Sequence, residues 1–134
     1  MRRALVLVAA GLVIAGCGSE PSGAAGAPAE DYLQIIVGSS DAVEITTYGL
    51  SCDGAPSGSH PEPDAACAHL DGMDDAFAPL PDDVACTEQY GGPQTADVIG
   101  RWDGEAVDVG LSRTDGCRIA QWDALGPLLP GPVG

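Results

Sequence analysis

Cysteine is the chemically pointed residue of this 134-residue chain: Cys52, Cys67, Cys86 and Cys117 are spread through its body, and Cys17 stands apart near the start. Thiols close disulfides, ligate soft metals or act as nucleophiles. The other reactive side chains are Ser57, Ser59, His60 and His69, with carboxylates at Asp71, Asp74 and Asp75. A serine and a histidine can make a nucleophile and its base. These lie in or beside a segment rich in glycine and proline, with no nucleophile elbow or helical motif to align them. The sequence therefore points away from an enzyme. Metal ligation has little support either. Cys67 and His69 lack a compact Cys-x-x-Cys partner, and the aspartates lack the alternating D-x-D-x-D-G ladder of a calcium loop. No metal and no cofactor is expected.

The start of the chain sets the compartment in which those thiols would work. Arg2 and Arg3 precede an uncharged apolar run from Ala4 to Ala15, the pattern of an export signal. The run is shorter than the roughly 20 residues a permanent membrane helix needs. Ile14-Ala15-Gly16-Cys17 resembles the lipobox of bacterial lipoproteins, where small residues admit the peptidase and the cysteine thiol takes a diacylglycerol. Residues 1–16 are then a signal peptide, Cys17 is the lipidation site, and residues 17–30, nearly all Gly, Ser, Ala, Pro and Glu, form a flexible tether. An ordinary secretory cleavage after Ala25 or Ala27 is the alternative. Either route exports the chain, to the outer face of the cytoplasmic membrane or beyond it, where thiols are oxidised.

Four cysteines remain for the domain and allow three pairings. Spacing favours the local one, Cys52 with Cys67 and Cys86 with Cys117. Each bridge contributes at most roughly 3 to 4 kcal/mol by constraining the unfolded chain. That matters here because Phe77 is the sole phenylalanine, so the core of one small domain must come mainly from Val, Ile, Leu and Ala. Beyond the signal the chain keeps Arg101, Arg113 and Arg118 and no lysine, three cations against 20 acidic side chains, hence a net charge of −17. Such a surface repels phosphate backbones and excludes nucleic acid as a partner.

The elements that must position these residues follow from periodicity. Tyr32 to Val37 reads as a strand, closed by Gly38-Ser39-Ser40. Ala42 to Cys52 reads as its antiparallel neighbour, with Val43, Ile45, Thr47 and Leu50 turned inward. Asp64 caps a short helix through Leu70, and Asp74 to Phe77 begins a further helical turn stopped by Pro79 and Pro81. Val98 to Trp102 and Glu105 to Leu111 flank Asp103-Gly104, a pair suited to a type I′ hairpin. The map is an α+β domain over residues 31–125 with an antiparallel sheet covered on one face. Residues 126–134, with Pro127, Pro130 and Pro132, read as an irregular tail.

The segment Cys52 through Ser57-Gly58-Ser59-His60-Pro61 and Pro63, ending in Ala66-Cys67-Ala68 and Leu70, resembles the subtilisin inhibitor-like family of secreted actinobacterial proteins. The spacing of Cys52, Cys67, Cys86 and Cys117 and the run Gly100-Arg101-Trp102-Asp103-Gly104 belong to the same likeness, which extends from about Tyr32 to Trp122. It implies a five-stranded antiparallel sheet with two short helices on one face, two disulfides in the local pairing, and often a homodimer. It also implies a reactive loop that begins at the third cysteine. Cys86 then takes the third position before the scissile bond, Thr87 the second and Glu88 the first. Gln89 follows the bond, and Tyr90 flanks it. The implied partner is an extracellular serine protease, which would meet the loop as a rigid substrate mimic.

Three departures from the family pattern bear on that implication. Glu88 stands where subtilisin-directed members place an apolar or basic residue, which shifts the expected target from ordinary subtilisin-like enzymes to glutamate-specific serine proteases. Gly91-Gly92 before Pro93 add backbone freedom, and a looser loop is hydrolysed more readily or binds weakly. The lipid anchor is the third. Glu88 and the glycine pair also fit a second reading, a non-inhibitory envelope lipoprotein that uses the same fold as an interaction module.

Overall fold

The computed structural model describes residues 31–130. The signal peptide over residues 1–16, the lipidation site Cys17, the tether over residues 17–30 and the last residues, 131–134, lie outside it. Strands β1 (Tyr32–Ser39) and β2 (Ala42–Ser51) form a hairpin, helix α1 (Pro63–Asp71) follows, then β3 (Gln94–Trp102), β4 (Glu105–Ser112) and helix α2 (Gly116–Ala124). Every pairing is antiparallel, and the strand order is β2-β1-β3-β4. The β3–β4 hairpin turns at Asp103 and Gly104 with φ of 51° and 78°, the positive values a type I′ turn demands.

Register decides which side chains meet. Leu33 lies opposite Leu50 and Gly100, and Ile35 opposite Tyr48 and Val98. Val98 lies opposite Val109, and Ala96 opposite Leu111. Since alternate residues of a strand share a face, Leu33, Ile35, Leu50, Ala96, Val98, Val107 and Leu111 form one buried layer. Ala66, Cys67 and Leu70 of α1 and Trp122 of α2 cover it. Both helices therefore sit on one face, as expected.

The strand count is corrected from five to four among the described residues. Beyond the free edge of β2 the ladder shrinks to a single bridge between Ser51 and Ser57. The stretch between α1 and β3 is punctuated by Pro79, Pro81 and Pro93, which offer no amide donor to a ladder. The inward set of β2 is corrected too. Val43 is fully exposed and Ile45 is 65% exposed; the pairing of Leu33 with Leu50 puts the even positions, Tyr48 and Leu50, on the core side.

Helix α1 begins at Pro63, whose missing amide donor costs nothing in a first turn. Asp64 lies in that turn beside the positive helix end rather than capping it, and Glu62 occupies the cap position without a side-chain bond. Asp74 to Phe77 makes only a turn, closed by Ala78 N–H donating to Asp75 O at 3.4 Å. The second helix is α2, capped by Asp115, whose carboxylate accepts from Arg118 N–H at 2.9 Å.

The tail beginning at residue 126 is not irregular throughout. Gly126–Leu128 is a 3-10 turn, and Leu125, Leu128 and Leu129 are buried in the core. His60 holds this segment: its Nε2–H donates to Leu128 O at 2.8 Å while its Nδ1 accepts from Glu62 N–H at 3.0 Å. Burial of two leucines, each worth about 1.5–3 kcal/mol, outweighs the disorder that the prolines suggest.

Candidate functional site

Two disulfides define the ground on which the site stands. Cys52 pairs with Cys67 across 15 positions, and Cys86 with Cys117 across 31, with Cα–Cα distances of 5.5 and 5.2 Å. The first ties the end of β2 to α1. The second ties the irregular segment before β3 to the first turn of α2, so that Cys86 becomes a fixed point in a stretch without regular structure. Sequence spacing had favoured this pairing of the three available.

Thr87, Glu88, Gln89 and Tyr90 emerge from that point fully on the surface, whereas Cys86 behind them and Gly91, Gly92 and Pro93 beyond them are half-buried. An exposed crest with sunken flanks is the shape produced. On the near flank Gly116 N–H donates to Thr87 O at 3.0 Å, and Gly116 packs against Thr87 Oγ1 with no room for a Cβ. On the far flank Gly91 N–H donates to Arg113 O at 2.7 Å, and Arg113 Nε donates back to Gly91 O at 3.3 Å. Further along, Ser40 N–H donates to Pro93 O at 2.9 Å.

These contacts bear on Gly91-Gly92. A Cβ at Gly91 would lie 2.8 Å from Ile119 Cδ1, and Gly92 has φ of +123°, a conformation L side chains rarely adopt. The glycines let the backbone come close to α2 and turn sharply into β3. Close approach at Gly91 and the positive φ at Gly92 are what glycine provides at these positions.

Glu88 is exposed and enters no hydrogen bond or ion pair among the described residues. Both ion pairs found there involve α2 or the residues just before it. Arg113 Nη1 meets Asp123 Oδ1 at 2.8 Å, and Arg118 Nη1 meets Asp115 Oδ2 at 2.7 Å. The carboxyl of Asp115 is held below the ordinary aspartate value, first by the Arg118 N–H it accepts, then by the Arg118 guanidinium.

The remaining chemically capable residues are spent on structure. His69 Nε2–H donates to Ala124 O at 2.8 Å, and Ser59 Oγ accepts from Gly49 N–H at 2.8 Å. With His60 clasped between Leu128 and Glu62, no serine–histidine pair forms among the described residues. Cys86, Asp115 and Cys117 bring ligand atoms within 4.8 Å of one another, but the two sulfurs are bonded together and cannot bind a metal as thiolates.

The family model described as subtilisin inhibitor-like matches residues 27–112. The chain belongs to the subtilisin inhibitor-like family. It is 32% identical over 124 residues to the subtilisin inhibitor of Streptomyces violaceus, covering 81% of this chain and 84% of that one. It is 35% identical over 113 residues to subtilisin inhibitor-like protein 4 of Streptomyces lavendulae, covering 77% and 94%. Among solved structures, Streptomyces caespitosus sermetstatin in complex with Bacillus licheniformis subtilisin aligns at 24% identity with a TM-score of 0.45, covering 75% of this chain and 96% of that one.

In this subtilisin inhibitor-like domain, the residues packed around the expected loop, Arg113, Gly116, Trp122 and Asp123, were not among those the sequence singled out for it. Asp115 followed by Ile119 and Trp122 was the available signal, a capping aspartate with apolar residues three apart. A glycine at the first helical position obscured it.

Proposed function

We propose that the chain inhibits an extracellular serine protease by offering Glu88-Gln89 as a substrate bond that is bound but slowly turned over. The observation carrying this reading is the exposed Thr87–Tyr90 crest held on both flanks, by the Cys86–Cys117 bridge and Gly116 on one side and by Arg113 on the other. A loop already shaped loses little entropy when it docks, and an extended stretch can pair with the protease cleft as an added strand. After attack at Glu88 the departing amine stays anchored through Gly91, so religation competes with hydrolysis.

Glu88 sets the target. A carboxylate entering an apolar pocket forfeits hydration at a cost of several kcal/mol, so the partner must supply a cationic or strongly donating pocket. Glutamate-specific serine proteases fit, and ordinary subtilisins do not. The test is an inhibition panel of a glutamate-specific serine protease, subtilisin and trypsin against the chain from residue 17 onward carrying Cys17→Ser, with mass analysis of the Glu88-Gln89 bond. Tight, slowly released inhibition of the glutamate-specific enzyme is expected. Rapid cleavage with no inhibition of any member would replace this reading with the interaction module.

Two partners complete the proposal. Cys17 carries a lipid that holds the domain at the envelope, supported by the Ile14-Ala15-Gly16-Cys17 pattern; fatty-acid labelling lost in Cys17→Ser tests it. A second copy covers the open face of the sheet, where Tyr32, Val43, Ile45 and Ile99 are 50%, 100%, 65% and 41% exposed. Light scattering should show a dimer that salt strengthens, because screening relieves the repulsion of two acidic chains, and that Ile45→Asp dissociates.

A further inference from the structure

We propose that Arg113 is a positioning residue that holds the loop beyond the scissile bond, through one guanidinium clasped on Gly91, Asp123 and Trp122. The proposal rests on the inhibitory reading of Glu88-Gln89 and deepens it.

Arg113 follows directly on β4, and its side chain is 13% exposed. Such burial of a permanently charged side chain needs partners for its donors. Nε donates to Gly91 O at 3.3 Å, Nη1 donates to Asp123 Oδ1 at 2.8 Å, and the guanidinium carbon lies 5.8 Å from the centroid of the buried Trp122 ring. The same residue's carbonyl accepts from Gly91 N–H at 2.7 Å. Residues 91 and 113 thus exchange two hydrogen bonds, one through the Arg113 backbone and one through its side chain.

The division of labour around the loop gives this exchange its importance. Before the scissile bond the chain is held covalently, by Cys86–Cys117. After it the nearest hold is Gly91, and the next is Pro93, through Ser40. Gln89 and Tyr90 hang between Glu88 and Gly91 without a tie of their own among the described residues. Whether the freed amine of Gln89 stays within reach of the acyl carbon therefore depends on how firmly Gly91 is fixed. Asp123 is exposed, so its ion pair alone is weak; its effect is to aim the guanidinium fork, which the packing on Trp122 completes. Lysine offers all its donors from one nitrogen and cannot reproduce the separate Nε and Nη1 positions that meet Gly91 and Asp123.

The test compares Arg113→Ala and Arg113→Lys with the parent chain from residue 17 onward carrying Cys17→Ser. Val107→Ala is the control, a core substitution distant from the loop in sequence that lowers stability without touching the clasp. Amide exchange at Gly91, followed by NMR, needs no protease. Hydrolysis of Glu88-Gln89 by a glutamate-specific protease is measured alongside, as the turnover rate of the bound complex. Arg113→Ala keeps the carbonyl that accepts from Gly91 N–H but frees Gly91 O from Nε, so easier local opening is expected to cost the Gly91 amide about tenfold or more of its protection and to raise turnover by a similar factor. Arg113→Lys should resemble alanine in both, even where its melting temperature is near that of the parent, and it replaces alanine if that variant does not fold. Unchanged Gly91 protection in both variants, or equal changes in Val107→Ala, would overturn the proposal. Should the parent inhibit nothing, the inhibitory reading falls, while Gly91 exchange still judges the clasp.

Discussion

Removing one disulfide at a time separates the stability of the fold from the rigidity of the loop. The two double substitutions are Cys86→Ala with Cys117→Ala, and Cys52→Ala with Cys67→Ala. The bridges span 31 and 15 positions. The loop-entropy relation puts their loss at about 3.7 and about 3.0 kcal/mol, upper values for both. For a domain of this size that is a fall of roughly 15–25 °C in melting temperature in either case. Thermodynamically the two variants should be near twins. Their loops should differ, because Cys86 adjoins the Thr87–Tyr90 crest whereas Cys52 and Cys67 join β2 to α1. Melting is followed by calorimetry, and Glu88-Gln89 cleavage is followed by mass analysis well below both midpoints. The variant lacking Cys86–Cys117 should be cleaved by a glutamate-specific protease at least about tenfold faster than the parent, and the other at nearly the parental rate. Equal cleavage of the two variants would refute the argument that anchorage of the crest controls turnover.

Other substitutions probe separate parts of the molecule. Glu88→Lys should lose about a hundredfold or more in binding to a glutamate-specific protease, since a like charge replaces the paired one, and should gain inhibition of trypsin; a panel that does not respond to this change would detach specificity from Glu88. Asp115 gives a pH signature. Its carboxyl is held low in the folded state, so the unfolded chain binds the extra proton as acid is added, and its contribution is full above the ordinary aspartate range and lost below about pH 4. The melting-temperature gap between the parent and Asp115→Ala should stay level from about pH 8 to about pH 5 and close toward about pH 2; a gap that widens in acid would reverse the assigned sign. Leu128→Ala should cost about 2–5 kcal/mol in urea unfolding, and an unchanged midpoint would show the tail to be peripheral.

Local signals were legible where one residue pair dictates geometry. Asp103-Gly104 fixed a hairpin because few other pairs accept two positive φ values. The first strand was legible from its apolar run, and the cysteine pairing from spacing. Side-chain direction in β2 was not, because its apolar residues fall on both parities and only the register with Leu33 and Ile35 chooses between them. The fifth strand came from resemblance alone, with no apolar alternation in this chain to support it. Helix α2 was hidden behind glycine, and the buried leucines behind three prolines. Gly91-Gly92 is ambiguous in sequence for a related reason: glycine marks both free backbone and crowded backbone, and the nearness of Ile119 and Gln94 is visible only in the fold.

The core also has a calendar. β1 lies inside the sheet, yet of its two neighbours only β2 follows at once; β3 is made after the whole irregular segment, and Leu128, which fills the same core, later still. A chain emerging from its N-terminal side therefore forms the β1–β2 hairpin first, gains α1 on its apolar face soon after, and receives β3, β4 and the rest of the core only later. Cys52–Cys67 can close early, whereas Cys86 must wait for Cys117. Contacts this distant in sequence slow folding. Completion of the core therefore waits on the last part of the chain to be made.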